Sequence, residues 1–279
     1  MRICVLSSGS GGNCLWVEAG STRVLVDAGL SIKTAARRCK DAGLDLREAT
    51  DLLVTHEHAD HSLSSGAFAR KLGLRVHATR GTLQALRDPP PAELCFPLAA
   101  GQSLLLGALR VEPLAVPHDA AEPVAFAFEE RGPGGRVRAA IVTDLGCAPA
   151  RLASELGQLD ALVLEMNHDT RLLLEGPYPF HLKRRIRSDV GHLSNAQGAQ
   201  LLARALHPGL RRVVLAHLSE HTNTEAHALR AAEGVLARAA HAPALAVADQ
   251  FAAGEPFTLL PRAAPPTFVP ARQLSLFGT

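Results

Sequence analysis

His56-Glu57-His58-Ala59-Asp60-His61 follows directly on the apolar run Leu52-Leu53-Val54, so three imidazoles and the Asp60 carboxylate crowd one strand end. Neutral imidazole nitrogen and carboxylate oxygen together suit Zn²⁺, Mn²⁺ or Fe²⁺. His56 and His58, at i and i+2, can converge on one ion from an extended loop, which leaves Asp60 and His61 to face a second. The cluster therefore reads as a two-metal hydrolytic site. A solvated strand-to-helix turn accounts for one histidine far better than for three beside an aspartate.

The 279 residues allow one large domain or two small ones, and a hydrophobic fraction of 47% is enough for a proper core. With 29 basic against 27 acidic residues the formal charge is only +2, so a nucleic-acid partner has to be argued from local features. Cys4, Cys14, Cys39, Cys95 and Cys147 are scattered without a C-x-x-C pair. That pattern speaks against a disulfide framework and predicts buried, reduced thiols. Ile3 to Leu6 is too short for a signal sequence and no later run approaches a membrane span, so the expectation is a cytoplasmic protein with no membrane partner.

Short apolar runs at Ile3–Leu6, Leu15–Val17 and Val24–Val26 predict an antiparallel meander. Helical spacing marks Ile32–Lys40 and Ser62–Leu72, each stopped by a glycine, Gly43 or Gly73. Strands are expected at Leu52–Val54 and Leu74–His77. The stretch from Ser103 to Val142 is strand-rich, with a loop at Arg131–Gly135 joining Val124–Phe128 to Val137–Val142. Helices follow at Pro149–Leu156, Asn195–Leu206 and Thr224–Ala239, separated by strands Ala161–Leu164 and Val213–Ala216. This doubled pattern suits two face-to-face sheets with helices outside, each half of the chain supplying one sheet. Residues 1–260 form the expected catalytic domain, and 261–279 a Pro/Ala-rich tether.

Three more candidates lie where a strand gives way to a loop: His118 in Val116-Pro117-His118-Asp119, Asp144 in Thr143-Asp144-Leu145-Gly146, and His217 in Ala216-His217-Leu218-Ser219. Singly they read as a turn residue, a cap and a core histidine; beside the first cluster they read as ligands. In order and context these residues, with Asp27, resemble the metallo-β-lactamase fold superfamily. The resemblance covers roughly residues 1 to 250 and implies an α/β fold, a four-layered αββα sandwich. It also implies two divalent metal ions, zinc or manganese with iron possible, one on His56, His58 and His118 and the other on Asp60, His61 and His217. Asp144 would bridge them, Asp60 would belong to the catalytic set, and Asp27 would orient ligands through hydrogen bonds. Such a pair of ions activates water and stabilises displaced oxygens, so esters, amides and phosphodiesters are all open as substrates.

Further stretches resemble the YycJ/WalJ-type nucleases related to the tRNase Z branch: Ser8–Asn13, Val116–Pro123, Leu164–Asp169, Ser188–Asn195 and Ala216–Ser219. The glycine-rich loop offers backbone N–H groups to a phosphate or is simply a tight turn; both readings stand. Ser10, Asn13, Asn167, His168 and Ser194 are the candidate phosphate contacts. Gly191-His192-Leu193-Ser194 resembles the tRNase Z segment whose histidine assists departure of the leaving oxygen, a role suited to imidazole. Alternatively Ser194 or Asn195 caps the next helix and His192 packs beside it. Glu165 and Asp189 have no derivable role. The run His181–Arg187 carries four cations, which would meet backbone phosphates or line a solvated helix face.

Gln273-Leu274-Ser275-Leu276-Phe277 resembles the peptide by which bacterial polymerases and repair enzymes dock on the replicative sliding clamp. Leu276 and Phe277 would fill an apolar pocket and Gln273 would make polar contacts. An amphipathic tail packing on its own domain is the other reading. Because the clamp encircles DNA, the motif favours DNA as substrate. The expectation is a metal-dependent deoxyribonuclease, a 5′-to-3′ exonuclease by resemblance, recruited by the clamp. The alternatives are a small-molecule hydrolase, such as a cyclic phosphodiesterase or thioester hydrolase, and a clamp-associated binder with vestigial chemistry.

Overall fold

The computed structural model describes residues 1–132 and 134–261; the clamp-like motif at 273–277 lies outside the described residues. The first sheet takes up β1 (Arg2–Ser7), β2 (Cys14–Ala19), β3 (Thr22–Val26), β4 (Asp51–Leu53), β5 (Arg75–Thr79) and β6 (Cys95–Leu98) in sequential order. β1 to β3 form the expected antiparallel meander, and β3 to β6 run parallel. The second sheet contains β7 (Leu104–Leu106), β8 (Leu109–Ala115), β9 (Val124–Gly132), β10 (Gly135–Val142), β11 (Ala161–Glu165), β12 (Arg212–Ala216) and β13 (Ala244–Val247). β7 to β10 are antiparallel and β10 to β13 parallel. One expectation needs correction: the two halves of the chain do not each keep to one sheet. The last strand, β14 (Phe257–Thr258), returns to pair with β1, where Ile3 lies opposite Phe257.

Alternation along β1 shows why these strands are apolar throughout. Ile3 and Val5 point into the core between the sheets, with Val17, Val24, Phe126, Phe128, Ile141 and Val163. Cys4 and Leu6 point to the other face, where Trp16, Leu25 and Leu52 pack against Ala35 and Cys39 of α1 (Ile32–Asp41) and Phe68 and Ala69 of α3 (Ser65–Leu72), while the short α2 (Ala59–Ser62) precedes α3. Strands buried on both faces need apolar residues on both, which removes the polar beat of a solvated sheet. α4 (Arg80–Ala85) follows β5 on the first sheet, with Thr79 capping its first turn.

On the outer face of the second sheet, Leu152, Leu201, Leu202 and Ala228 pack α5 (Ala150–Glu155), α8 (Asn195–Ala205) and α9 (Glu225–Leu236) onto Leu162, Leu164 and Leu215. Two further helices, α6 (Thr170–Glu175) and α7 (Phe180–Ile186), occupy the segment between β11 and α8. The layers are helix, sheet, sheet, helix, the αββα sandwich. Gly43 and Gly73 end α1 and α3 at φ 67° and 69°, the left-handed stops expected of them. The loop foreseen at Arg131–Gly135 is tighter than expected, since β9 and β10 pair as far as Gly132 opposite Gly135. Among the described residues no helix is long and apolar enough to cross a membrane. All five cysteines are free; Cys4, Cys14 and Cys39 are buried, whereas Cys95 and Cys147 are only partly so.

Candidate metal centre

Parallel strands end with their carboxyl termini on one side, and the loops that leave them converge there. Asp27 follows β3, His56 to His61 follow β4, Asp144 follows β10, Glu165 closes β11 and His217 follows β12. Asp27, Asp144 and His217 all adopt positive φ, at 64°, 58° and 56°. Aspartate and histidine tolerate this left-handed region better than most residues, though each instance costs on the order of 1–3 kcal/mol. Three of the four non-glycine residues with positive φ among the described residues thus stand at strand ends on this one cleft.

The loop after β4 is held closely against the glycine-rich loop. A Cβ on Gly29 would lie 1.9 Å from the Asp60 carbonyl oxygen, so only glycine permits the approach. Asn13 donates its backbone N–H to that same carbonyl at 2.7 Å.

Hydrogen bonds assign the imidazole tautomers. His118 Nδ1 lies 3.0 Å from the Gly191 carbonyl, which only accepts, so Nδ1 carries the proton and Nε2 presents a lone pair. His61 Nδ1 donates to Asp27 Oδ2 at 2.7 Å, and His217 Nδ1 to Glu165 Oε1 at 3.1 Å, freeing Nε2 of each ring. The Nε2 lone pairs of His61 and His217 face carboxylate oxygens, with the Asn13 amide also reaching His61 Nε2 at 2.9 Å. His61 Nε2 is 3.0 Å from Asp144 Oδ2, His217 Nε2 is 3.4 Å from Asp60 Oδ2, and His118 Nε2 is 3.2 Å from His58 Nδ1. His56 Nε2 and Asp144 Oδ2 are buried with no hydrogen-bond partner.

Buried acceptors aimed at one another without a proton between them are costly unless a cation sits among them. The donor set therefore fits divalent ions. His56, His58 and His118 bring ligand atoms within reach of one centre, as do Asp60, His61 and His217, and Asp144 joins His56 and His61 between them.

Electrostatics agree. Burial pulls His56 well below its ordinary pKa and lowers His118, keeping both neutral, as metal ligands must be. Burial works against the charged forms of His61 and His217 as well. There the carboxylates prevail: Asp144, Asp27 and Asp60 raise His61 well above its usual value, and Asp144, Asp60 and Glu165 raise His217 to about 10. Despite its own burial, Asp144 is held far below the carboxylate range by His217 and His61. The pocket's negative field demands positive charge, and divalent ions meet that demand while leaving the nitrogen lone pairs free.

Asp27 sits in a hydrogen-bonded cradle behind His61. Its Oδ1 accepts from the Thr55 N–H at 2.8 Å and the Thr55 hydroxyl at 2.9 Å, while Oδ2 fixes His61. Thr55, unmarked in the sequence reading, also reaches His56 Nδ1 at 3.1 Å. Its only signal was its place between strand and motif. Glu57 stays out of the centre and accepts from the Ala121 N–H at 2.9 Å, pinning the loop that carries His118.

Glu165 emerges as the hub whose role the sequence left open. Fully buried, it accepts from His192 Nδ1 at 2.8 Å, His217 Nδ1 at 3.1 Å, and the Leu193 and Leu145 N–H groups at 3.0 and 3.2 Å. It lies within ligand distance of Asp144, His192 and His217, but four donors already occupy its oxygens, which makes it an anchor for two rings rather than a ligand. Burial opposes its ionisation, yet His192 and His217 lower its pKa to about 2. With Nδ1 bound to Glu165, His192 keeps Nε2 as its free nitrogen, at the cleft edge beside the His118 and His217 rings.

The candidate phosphate contacts do not fare as expected. Ser10 is exposed, but the neighbouring N–H groups are taken: Gly9 by Asn13 Oδ1, Gly11 by Gln250 Oε1 and Gly12 by the Gly9 carbonyl. The loop is therefore a tight turn that props Asn13, whose amide lies 2.9 Å from His61 Nε2 and 3.4 Å from Asp60 Oδ2. Asn167 is buried and donates to the His217 carbonyl at 3.0 Å. His168 is buried with its Nδ1 unpartnered, and burial lowers its pKa to about 4. Ser194 caps α8, accepting from the Gln197 N–H in a reciprocal capping box. Asn167, His168 and Ser194 thus brace the loops around the centre. Asp189 is exposed.

The β-lactamase superfamily domain matches residues 22–218. The chain is 38% identical over 226 residues to the exodeoxyribonuclease YycJ of Bacillus anthracis, covering 80% of this chain and 84% of that protein. It is 32% identical over 227 residues to the exodeoxyribonuclease WalJ of Streptococcus pneumoniae serotype 2 (strain D39 / NCTC 7466), covering 80% and 83%. Among solved structures, Zn²⁺-bound PqqB of Methylobacterium extorquens superposes with a TM-score of 0.68 at 18% identity, over 93% of this chain and all of the other, which shows the shared fold. Sandwich, matched span and relatives agree that this chain belongs to the metallo-β-lactamase superfamily, a family of metal-dependent hydrolases.

Proposed function

We propose that the protein is a two-metal exodeoxyribonuclease that removes nucleotides from DNA ends in the 5′-to-3′ direction. The observation that supports it best is the convergence of His56, His58, Asp60, His61, His118, Asp144 and His217 beside a histidine held by Glu165. In this reading His56, His58 and His118 would hold one divalent ion, Asp60, His61 and His217 would hold the other, and Asp144 would serve both. Zinc and manganese each suit this nitrogen and oxygen set, and iron is compatible with it. When bound, such ions make water a nucleophile near neutral pH and neutralise charge on the phosphoryl oxygens.

The protein's own groups do the rest. Asp27 and Glu165 lock the His61 and His217 rings by their Nδ1 protons, so the Nε2 lone pairs need no reorganisation. Cleavage of a phosphodiester expels an alkoxide, which needs a proton as the bond breaks. His192, as the imidazolium, delivers it from Nε2 and is left neutral, its Nδ1 proton staying on the bond to Glu165 that fixes the ring. DNA as substrate is supported by the names of the two relatives and by the clamp-like peptide at 273–277, through which the sliding clamp would recruit the enzyme.

The test is incubation of metal-reconstituted protein with end-labelled single- and double-stranded DNA and RNA. Wild type shortens DNA, and Asp144→Ala and His58→Ala, folded as judged by circular dichroism, lose at least about 10³-fold in rate. Undiminished digestion by either variant, or turnover of cyclic nucleotides or thioesters with none of DNA, overturns the proposal.

A further inference from the structure

The sequence run His181–Arg187 concentrates four cations, and the structure separates them by task. Arg185 is committed: its guanidinium binds the Asp119 carboxylate through two nitrogens, at 2.5 and 3.0 Å, beside the metal-centre residue His118. Lys183 spends one of its three protons on the Leu174 carbonyl at 2.7 Å. Arg184 and Arg187 are exposed, and the described residues give neither side chain a hydrogen-bond or ion-pair partner. Beside them Phe180 stands 79% exposed and Leu174 50% exposed. Leu174, Phe180, Lys183, Arg184, Arg187 and Ser188 line an open depression of about 490 Å³.

This depression is tied rigidly to the metal centre. The His192 N–H donates to the Ile186 carbonyl at 2.8 Å, the Asp119 N–H to the Val190 carbonyl at 3.0 Å, and His118 Nδ1 to the Gly191 carbonyl. A Cβ on Gly191 would lie 2.2 Å from the Arg185 carbonyl oxygen, so the end of α7 and the loop bearing His192 close on each other without space between. The C-terminal end of α7 is thereby fixed against the loop that bears His192.

An exposed aromatic ring flanked by unpaired guanidinium groups is the chemistry of single-stranded nucleic acid, where a base stacks on the ring and phosphates pair with the cations. A protein partner would bury the ring but leave two arginines seeking carboxylates. A duplex would satisfy the cations along its backbone but keeps its bases stacked on one another everywhere except at its ends, whereas an unpaired strand can lay any base on Phe180. With a net charge of only +2 on the whole chain, the local excess on α7 is a feature of this face and not of the average surface.

We propose that α7 and the Leu174–Ser188 depression form the platform that seats an unpaired strand for the metal centre, with Phe180 stacking on a base and Lys183, Arg184 and Arg187 contacting phosphates. Phe180 and the two arginines are positioning residues, and the proposal gives the nuclease reading its preference for single-stranded over blunt double-stranded ends.

The inference rests on the nuclease reading, and the experiment separates the two. Full-length metal-loaded protein is titrated into fluorescein-labelled phosphorothioate oligonucleotides, single-stranded DNA and RNA and blunt duplex, which bind but resist hydrolysis. In parallel, hydrolysis of bis(p-nitrophenyl) phosphate reports the bare chemistry without a strand to seat. Phe180→Ala is expected to weaken single-strand binding about tenfold and duplex binding about twofold or less. Arg184→Glu/Arg187→Glu is expected to weaken both and to flatten the salt dependence by roughly 1.4 in log–log slope, about 0.7 per lost phosphate contact. Neither changes bis(p-nitrophenyl) phosphate turnover. Single-strand affinity within twofold of wild type in both variants overturns the proposal. So does a change in the sedimentation of Phe180→Ala alone with oligonucleotide binding intact, which would assign the face to a second copy of the chain. Loss of strand binding in the variants of a protein that digests no DNA would sink the nuclease reading and leave the platform standing.

Discussion

At the level of single residues, the proposed cleavage depends on where protons sit. His192 is assigned the proton that leaves with the departing oxygen, so its removal matters only when the leaving group is a poor one. His192→Ala is expected to slow DNA cleavage by about 10²–10⁴ while bis(p-nitrophenyl) phosphate, whose p-nitrophenolate leaves unaided, loses less than about tenfold. Equal losses on both substrates would make His192 a structural residue instead. Glu165→Gln is expected to mimic His192→Ala on DNA and also to weaken metal binding about 10–100-fold, because the same carboxylate orients His217.

His168 predicts a pH effect on stability. Its pKa falls from 6.5 to about 4 on folding, through burial, so between those values the unfolded chain binds a proton the folded protein refuses. The neutral ring's contribution is whole above about pH 6.5 and is lost as pH falls towards 4, at most about 1.4 kcal/mol per unit. Thermal unfolding from pH 7 to pH 4.5 should show a shallower decline in His168→Gln than in wild type; parallel curves would contradict the assignment. The seven ligand candidates were visible in the sequence because each stands at a strand end in a stretch of recognisable composition. Thr55 and Glu165 were not assigned, since a hydrogen-bonding role depends on which groups the fold brings near, and linear spacing does not carry that.

At the scale of elements, buried strands were easy to place and edge strands were not. Val24–Val26, Ala161–Leu164 and Val213–Ala216 are apolar on both faces and sit in sheet interiors, so composition alone marks them. β6, at the end of the first sheet with Pro97 within it, carries no such mark, and β14 has only two residues. The helix foreseen at Ser62–Leu72 begins only at Ser65, as α3, and a separate short helix, α2, ends at Ser62. The first turn belongs to the metal-centre loop, where His58 leads α2 and the His58 carbonyl accepts from the Ser62 N–H.

Ser194 gives a prediction at this scale. Its hydroxyl serves the α8 capping box, so Ser194→Ala is expected to cost about 1 kcal/mol and lower the Tm by about 2–4 °C, with KM for DNA unchanged. A raised KM at undiminished Tm would restore its reading as a phosphate contact.

At the scale of the whole molecule, two sheets supply the metal-centre residues from opposite sides: Asp27 and His56–His61 from the first, His118, Asp144 and His217 from the second. The candidate ligands therefore come from both halves of the sandwich, and cations bound among them would cross-link the two sheets. Chelation is expected to lower the Tm by several degrees, and restoring zinc or manganese to recover it, since a ligand bound only by the folded state stabilises that state. The proposed clamp peptide at 273–277 makes a separate prediction, because it shares no residue with the candidate metal centre. Truncation after Pro261 should abolish binding to the sliding clamp in a pull-down while exonuclease turnover on short DNA stays within twofold of full length.

The central claim is that seven side chains from both sheets hold two divalent ions. Calorimetric titration of zinc or manganese into metal-stripped protein tests it most directly. The account predicts about two ions per chain for wild type, with proton release, and one or none for Asp144→Ala. No binding by the folded wild type, or full stoichiometry and affinity in Asp144→Ala, would contradict it.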